Sequence, residues 1–256
     1  MVHKILADKP TKLFLGMSAF FVANALIAES IGTKIFSLEK LFGAQPANIT
    51  LFGQSGLGFD LTCGVLLWPL EFVMTDIVNE YYGPKAIKRI SYTAVILITY
   101  AFLMYYLAIA VPAADFWVPI NKPNGIPDMQ AAFSGIFGQN MRIILGSLIA
   151  FLVSQMVDVT IFHKIKRYTG EQKVWLRATG STVVSQLVDS YIVLFIAFAG
   201  VFSWQQILSF GVMNYSYKFT MAIVLTPLIY FVEHRIENYV TPTVAKAMKQ
   251  AAMKNE

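Results

Sequence analysis

The sequence predicts an all-α integral membrane protein with six transmembrane helices in a single domain, residues 1–256. Of the 256 residues, 56% are hydrophobic and only 14% are charged, and the mean hydropathy is +0.58. Soluble domains usually carry about 25% charged residues. The apolar residues also gather into runs that are long enough for the ~20 residues with which a helix crosses the hydrocarbon core. These six runs cover residues 13–35, 60–82, 88–112, 142–164, 178–200 and 207–232.

Several runs contain polar residues, but only helices satisfy the backbone inside lipid, so we interpret every run as a helix. Two long connections are predicted to be external loops. The first contains the stretch GQSGLG (residues 53–58), which lacks the helix start and lysine of a nucleotide-binding loop. The second, from Pro112 to about Gln139, is rich in Pro and Gly. Within it, Phe133, Ile136 and Phe137 predict a short interfacial helix.

The basic residues predict the orientation of the chain. Fifteen of the 20 Lys and Arg residues lie in the two tails and in the loops after the second and fourth runs. The positive-inside rule therefore places both termini in the cytoplasm and the protein in the inner (plasma) membrane. These residues are Lys4, Lys9, Lys12, Lys85, Lys88, Arg89, Lys164, Lys166, Arg167, Lys173, Arg177, Arg235, Lys246, Lys249 and Lys254.

The two ends of the chain carry further patterns. Ala23-Asn24-Ala25 could mimic the cleavage site of a signal peptide, but the apolar run continues past it, so we interpret the run as a retained span. The predicted cytoplasmic tail, residues 233–256, has Val244, Ala247, Met248 and Ala251 at helical spacing between lysines. That pattern predicts an amphipathic helix lying on the membrane.

A short polar motif occurs twice, as Ser154-Gln155-Met156-Val157-Asp158 and as Ser185-Gln186-Leu187-Val188-Asp189. Neighbouring spans run in opposite directions, so Asp158 should lie level with Ser185, and Asp189 level with Ser154. A carboxylate at membrane depth is costly unless it faces a partner or a wet cavity, which favours a polar site between these helices. The alternative is a pair of hydrogen bonds that only hold the bundle together.

The second run has the most polar residues, and they cover half of its helix, so that face should not contact lipid. Glu71 and Asp76 lie deep in the membrane, whereas Glu80 lies near the cytoplasmic end, within reach of Lys85 and Lys88. Lys218 lies close to the middle of the sixth run and calls for a carboxylate partner. The candidates are Asp76, Asp158 and Asp189. Glu29, near the outer end of the first run, could be neutralised by Lys34.

The sequence offers little for catalysis or metal binding. Cys63 is the single cysteine, so a disulfide and a Cys-rich metal site are excluded. The histidines have no metal-ligand spacing and are interpreted as interfacial. No HExxH or GxSxG motif occurs, so we predict no enzyme, no metal and no cofactor. An intramembrane protease using paired aspartates remains an alternative, which a peptide-cleavage assay would detect.

The stretch Trp68–Gly83 (WPLEFVMTDIVNEYYG) resembles the signature of the queuosine precursor transporters, the vitamin uptake transporter family. Gln155, the pair Asp158-Val159, the segment from Ser181 to Phe198 and the pair Tyr217-Lys218 extend the resemblance. It covers essentially all six runs. Glu71 stands where an apolar residue is also seen in the family, and the loop from Pro112 to Gln139 is longer here.

The resemblance implies a secondary transporter that imports 7-deazaguanine bases, namely the cyano and aminomethyl precursors of queuosine, or queuine. It implies a fold similar to the membrane substrate-capture subunits of energy-coupling-factor importers, here without an ATPase partner. The alternative is a substrate-binding subunit of an ATP-driven importer, which would need its ATPase for uptake. The expected partners are the base and the lipid bilayer, with no nucleic acid. Homodimerisation, the preferred base and the energy source remain open.

We predict a substrate cavity at the midplane of the membrane. Aspartates would accept the N–H donors of the base, amides would add contacts, and Trp68 would stack on the ring. Glu71 would favour a cationic aminomethyl base. The predicted substrate-binding residues are Asn24, Trp68, Glu71, Asp76, Asn79, Gln155, Asp158, Gln186, Asp189 and Lys218.

Overall fold

The structure, a computed structural model, describes residues 8–169 and 173–254. Lys4 and the side chain of Lys254, both used to predict the orientation, lie outside the part described. The helices are α1 (Lys9–Ile31), α2 (Trp68–Tyr82), α3 (Pro84–Ala110), α4 (Met129–Phe137), α5 (Met141–Thr169), α6 (Val174–Phe198), α7 (Trp204–Val224), α8 (Thr226–Val240) and α9 (Pro242–Lys254), with a further helical turn at Leu38–Leu41. The strands are β1 (Ile35–Ser37), β2 (Ile49–Leu51), β3 (Gln54–Leu57) and β4 (Asp60–Thr62).

Four helical segments among the described residues are long and apolar enough to cross a membrane, and a bent pair makes a fifth if it counts as one span. The four are α1, α3, the segment Met129–Thr169 and α6. Many large apolar side chains on α1 and α3, such as Phe20, Ile96 and Leu103, are exposed. Exposed apolar surface of this extent fits contact with lipid. The all-α membrane architecture is therefore confirmed at this level.

The second predicted span is wrong in its first third. Residues 60–66 form β4 and a 3₁₀ turn, and α2 begins only at Trp68, with Pro69 in its first turn. Pro suits the start of a helix because its missing N–H would be unpaired there. With 15 residues, α2 is about 22 Å long, which is shorter than the hydrocarbon core.

The sixth predicted span is divided. Helix α7 ends at Val224, and α8 continues after Leu225 at an angle of 42°. Pro227 lies in the first turn of α8. Its ring nitrogen cannot donate to the carbonyl of Ile223, which ends the hydrogen-bond ladder of α7 at this point.

The predicted external loops contain regular structure. β1 pairs with β4, and β2 pairs with β3, both antiparallel. The Ser209 hydroxyl on α7 donates to the Leu51 carbonyl at 3.0 Å. This hydrogen bond connects the β2–β3 hairpin to the helix bundle. The predicted short helix is confirmed as α4, where the rings of Phe133 and Phe137 lie 4.8 Å apart.

Helix α2 lies at the centre of the molecule although it carries three acidic residues. Glu71, Thr75, Asp76, Asn79 and Glu80 are all at most 3% exposed. Its neighbours include α1, α3 and α9. The prediction that this helical face avoids lipid is therefore confirmed.

The C-terminal helix α9 packs on protein with a face other than the predicted apolar stripe. Ala245 and Ala252 are 1% exposed, whereas Val244 is exposed. The backbone of Ala252 lies against Gly83, at the turn between α2 and α3. The predicted helix is confirmed, and Val244, Ala247 and Ala251 of its predicted apolar stripe are exposed, so its contact with the membrane stays a prediction.

Candidate functional site

Helices α5 and α6 pack along their length, and the repeated motif sets their register. The Ser185 hydroxyl donates to Asp158 at 3.0 Å, and the Ser154 hydroxyl donates to Asp189 at 3.4 Å. This is the antiparallel arrangement predicted from the repeat, and it is confirmed. Thr182 adds a further hydroxyl contact to Asp158, at 3.5 Å.

Lys218 on α7 forms its ion pair with Asp189 on α6. The side chains of Lys218 and Asp189 are 10% and 18% exposed, respectively. Of the three partners left open by the sequence, the structure therefore selects Asp189. The pairing also gives Asp189 two partners, the Lys218 ammonium and the Ser154 hydroxyl.

Two amide side chains connect α2 with α5. The Gln155 amide donates to the Thr75 hydroxyl at 3.0 Å. The oxygen of Asn79 lies 2.7 Å from Nε2 of His163. His163 is buried within the helix bundle. These contacts fix two predicted binding residues, Asn79 and Gln155, between helices.

Asn24 on α1 positions the start of α2. Its amide donates to the Leu67 carbonyl at 3.1 Å and to Glu71 at 2.9 Å. Both bonds use the amide N–H donors of Asn24 within the protein. The ring of Trp68 lies 5.5 Å from that of Phe151 on α5. Helix α2 is therefore held at its first turn by both α1 and α5.

Several buried polar atoms in this region have no hydrogen-bond partner within the protein. They are Oε1 of Glu71, Oδ1 of Asp76, Oδ2 of Asp158 and both amide atoms of Gln186. Each of the four residues is at most 3% exposed. Because an unpartnered buried polar atom is costly, such a group calls for an explanation, and a ligand is one.

A narrow cleft between α2, α6, α7 and α8 contains about 20 Å³ of open space, roughly the room for one water molecule. Three predicted binding residues line it: Trp68, Asp76 and Lys218. Most of the remaining wall is apolar, with Phe72 and Met221 among its side chains. The other predicted residues do not line this cleft. They are Asn24, Glu71, Asn79, Gln155, Asp158, Gln186 and Asp189.

Glu80 forms ion pairs inside the bundle, not with Lys85 or Lys88 as the sequence suggested. Its carboxylate lies 3.0 Å from Lys166 on α5 and 2.8 Å from Arg177 on α6. All three side chains are at most 2% exposed. The positive-inside argument counted Lys166 and Arg177 as loop residues. Helices α5 and α6 extend beyond the predicted spans, so both residues lie on helices and inside the bundle.

Glu29 near the outer end of α1 has Ser147 on α5 as its partner. Lys34 was the predicted partner, but no ion pair joins the two within the described residues. Gln139 donates to the Glu29 carbonyl at 3.1 Å. Ser147 lies two turns before Ser154 on α5, so periodicity could have indicated it.

No group of three or more His, Cys, Asp or Glu side chains within residues 8–169 and 173–254 could hold a metal ion. The polar chemistry on the cleft wall is that of one carboxylate, three hydroxyls and one lysine among aromatic and aliphatic side chains. Such a set can bind a flat polar molecule, which the comparison with known proteins makes more specific.

The model of the putative vitamin uptake transporter family matches residues 62–232. This range includes α2 and the helices that line the cleft. The chain belongs to this family, that of the queuosine precursor transporters. Three curated relatives agree with it, and no solved structure matches the chain significantly.

Three relatives that resemble this chain come from bacteria. A probable queuosine precursor transporter of Bacillus subtilis (strain 168) is 33% identical over 71% of this chain and 75% of its own length. The queuosine precursor transporter of Escherichia coli (strain K12) is 24% identical over 66% of this chain and 70% of its own. A probable queuosine precursor transporter of Haemophilus influenzae is 22% identical over 75% of this chain and 78% of its own length.

Within this family, the chain is a multi-pass membrane protein whose polar groups gather on α2, α5 and α6. Sequence reasoning missed three residues of this region. Thr182 and Tyr217 line the cleft, and Arg177 is fully buried beside Glu80. Thr182 lies one turn before Ser185 on α6, so the face shared with the repeated motif could have identified it.

Proposed function

We propose that this chain is a secondary transporter that imports queuosine precursors across the inner membrane. The substrates are 7-cyano- or 7-aminomethyl-7-deazaguanine, or queuine. Three relatives with this function in their names support the proposal. The structural observation that carries it is Asp76, a buried carboxylate with an unpartnered oxygen that lines a largely apolar cleft.

A 7-deazaguanine base matches the chemistry of this cleft. It has a flat aromatic face and a guanine-like edge with two N–H donors beside a carbonyl acceptor. Asp76 accepts from the donor edge, and Trp68 contacts the ring face. Lys218, whose charge is balanced by Asp189, donates to the carbonyl. The other predicted residues act from behind the cleft wall, by holding α2, α5 and α6 in place.

The same proposal includes six spans with both termini in the cytoplasm. Helix α2 and the segment before it make the second span, and α7 with α8 makes the sixth. The fifteen basic residues gathered at one side favour this orientation. We also propose that the single domain resembles the membrane substrate-capture subunits of energy-coupling-factor importers but works without an ATPase.

Ligand binding tests the substrate class first. Purified protein in detergent is heated with guanine, each of the two precursors, or queuine. A ligand that binds only the folded state raises the melting temperature. We expect stabilisation by at least one 7-deazaguanine and none by guanine. If no base stabilises the protein, the proposed substrate class is wrong.

Uptake in cells lacking the precursor pathway tests the residues. We expect Asp76→Ala, Asp158→Ala and Asp189→Ala to abolish uptake while the variants still reach the membrane. Asp115→Ala, at an exposed loop carboxylate, is the matched control and should transport normally. Wild-type uptake in all three variants would contradict the site, and uptake that required a co-expressed ATPase would favour the binding-subunit alternative.

A further inference from the structure

The surroundings of Asp158 provide several oxygen ligands for a cation. Asp158 is 2% exposed, and its Oδ1 accepts from Ser185 at 3.0 Å and from Thr182 at 3.5 Å. The hydroxyl of Ser181, one turn before Ser185, donates instead to the Ala178 carbonyl at 3.2 Å. Its Oδ2 has no partner. Carboxylate and hydroxyl oxygens are the ligands that hard cations prefer.

Asp158 lies close to a second carboxylate. Asp76 on α2 lines the same cleft as Thr182, which contacts Asp158, and Oδ1 of Asp76 is also unpartnered. Neither aspartate forms an ion pair within the described parts of the chain. Two ionised carboxylates this near to each other in a buried site cannot both persist without compensating charge.

The neighbouring charged groups supply only part of that compensation. Lys166 and Arg177 both pair with Glu80. Within residues 8–169 and 173–254, no ion pair with a basic side chain reaches Asp76 or Asp158. Of the remaining charged groups on α2, α6 and α7, Lys218 is paired with Asp189, and Glu71 is held by Asn24. His163 on α5 contacts Asn79. A monovalent cation at Asp158 would supply positive charge that the described ion pairs do not.

We propose that Asp158, with Thr182 and Ser185, binds one monovalent cation, H⁺ or Na⁺, which enters the cell together with the substrate. This inference rests on the proposed function and adds its energy source. The link to the substrate is short, because Thr182 contacts Asp158 and lines the same cleft as Asp76. A cation at Asp158 leaves Asp76 charged to accept the base, so each ligand increases the affinity for the other.

Transport by purified full-length protein in liposomes separates this inference from the proposed function. Exchange of radiolabelled 7-cyano-7-deazaguanine against internal substrate, with no ion gradient, tests transport alone. Accumulation is then measured in two arms, an inward Na⁺ gradient at equal pH and an inward proton gradient without Na⁺. We expect accumulation in one arm, and that arm identifies the ion. Exchange without accumulation in either arm would overturn the coupling and leave the proposed function standing, whereas absence of exchange would overturn both.

Variants locate the cation. Asp158→Asn should abolish accumulation. Ser185→Ala, a smaller change, should fold normally and change the ion requirement by about fivefold, as expected for the loss of one hydroxyl contact. With Na⁺, the half-saturating concentration rises because an oxygen ligand is lost. With H⁺, the pH of half-maximal uptake rises, because the hydroxyl stabilised the ionised carboxylate. Asp115→Asn is the matched control, and an unchanged ion requirement in Ser185→Ala would overturn the site.

Discussion

Glu80 carries an interhelical ion-paired group whose members are all buried. Its carboxylate contacts Lys166 and Arg177, and the Arg177 guanidinium also lies 5.8 Å from the ring centre of Phe162. A buried ion pair adds little net stability, because desolvation offsets the attraction. Removal of one partner is nevertheless costly, since the remaining charges stay buried. The group therefore fixes how α2, α5 and α6 are arranged more than how stable they are.

We expect Glu80→Gln to lower the free energy of unfolding by about 3–5 kcal/mol, the range for breaking a buried pair. Thermal unfolding in detergent measures the change. Glu237→Gln is the matched control, because the Glu237 side chain is 39% exposed in its pair with Lys249. It should cost at most about 1 kcal/mol. Equal melting temperatures for the two variants would contradict this role of Glu80.

Glu39 organises the first external loop. It accepts from the backbone N–H of Phe59 at 2.8 Å, and Ser37 donates to its other oxygen at 3.0 Å. These hydrogen bonds, chiefly the one from Phe59, lower the pKa of the Glu39 carboxyl below its ordinary value of 4.5. The stabilisation is therefore complete above pH 4.5 and is lost as the pH falls through the lowered pKa.

Hydrogen exchange at the Phe59 amide checks this pH dependence. In the wild type, protection relative to Glu39→Gln should be full at neutral pH and should disappear in acid, below the ordinary carboxyl pKa. The variant keeps the shape of the side chain and lacks the charge. Identical protection in both proteins at pH 7 would show that the carboxylate does not hold the loop.

For individual residues, the sequence predicted which polar side chains form contacts between helices, but it did not always predict their partners. The repeated motif was enough for the contacts of Asp158 and Asp189, because antiparallel packing fixes their depth. The partner of Lys218 depends on the rotation of α7 about its axis, which no pattern in the sequence reports. Glu80 was assigned the wrong partners because lysines near in sequence were favoured over basic residues on other helices.

The turn between α2 and α3 depends on one glycine. Gly83 has φ 81° and ψ 177°, a conformation essentially restricted to glycine. A Cβ atom there would lie 2.9 Å from the carbonyl oxygen of Ala252 on α9. The glycine thus makes both the turn and the close approach of the C-terminal helix.

We expect Gly83→Ala to destabilise the protein by more than about 2 kcal/mol, from backbone strain and the clash with α9 together. Gly125→Ala is the control, since Gly125 has φ 83° but no atom within 4 Å of an added Cβ. Thermal unfolding of both variants gives the comparison. If the two changes cost the same, the contact with α9 has no energetic importance.

Helix α9 is attached by more than this contact. Lys249 bonds to Glu233 at 3.1 Å and to Glu237 at 3.0 Å, and it lies 5.0 Å from the ring centre of Tyr81. Burial opposes the charge of Lys249, but the attraction of Glu233, Tyr81 and Glu237 is larger and raises the pKa of the ammonium. An amphipathic pattern predicted the helix itself correctly. It could not show that ion pairs with α8 direct the helix onto protein.

The whole molecule combines apolar helices that face lipid with a polar interior around α2. Composition and run length predicted the class because lipid demands long apolar helices. They did not predict where the helices of the second and sixth runs begin and end. The residues of the strand, of the 3₁₀ turn and around Pro227 are as apolar as those of the neighbouring helices. The cleft was not predictable in detail, because it depends on the bend between α7 and α8.

Labelling of single cysteines tests the proposed orientation of the whole molecule. Cys63 is the only native cysteine, so Cys63→Ala provides a background without thiols. In it, Asp115→Cys should react with a membrane-impermeant maleimide in intact cells, and Lys246→Cys only after permeabilisation. Both positions are exposed in the structure. The opposite pattern would invert the topology and exclude cytoplasmic termini.

The brevity and polarity of α2 have a consequence for biosynthesis. An acidic residue at the centre of a span costs about 2.5–3.5 kcal/mol during insertion at the translocon, and α2 presents Glu71, Asp76 and Glu80 within 15 residues. Its basic partners, Lys166 and Arg177, are still unsynthesised when it leaves the ribosome. We infer that α2 enters the bilayer as a hairpin with the apolar α3. Helix α2 then remains without its basic partners until α5 and α6 have been inserted. A nascent chain stopped at residue 140 should therefore be degraded faster than one stopped at residue 200, and equal lifetimes would argue against this order of assembly.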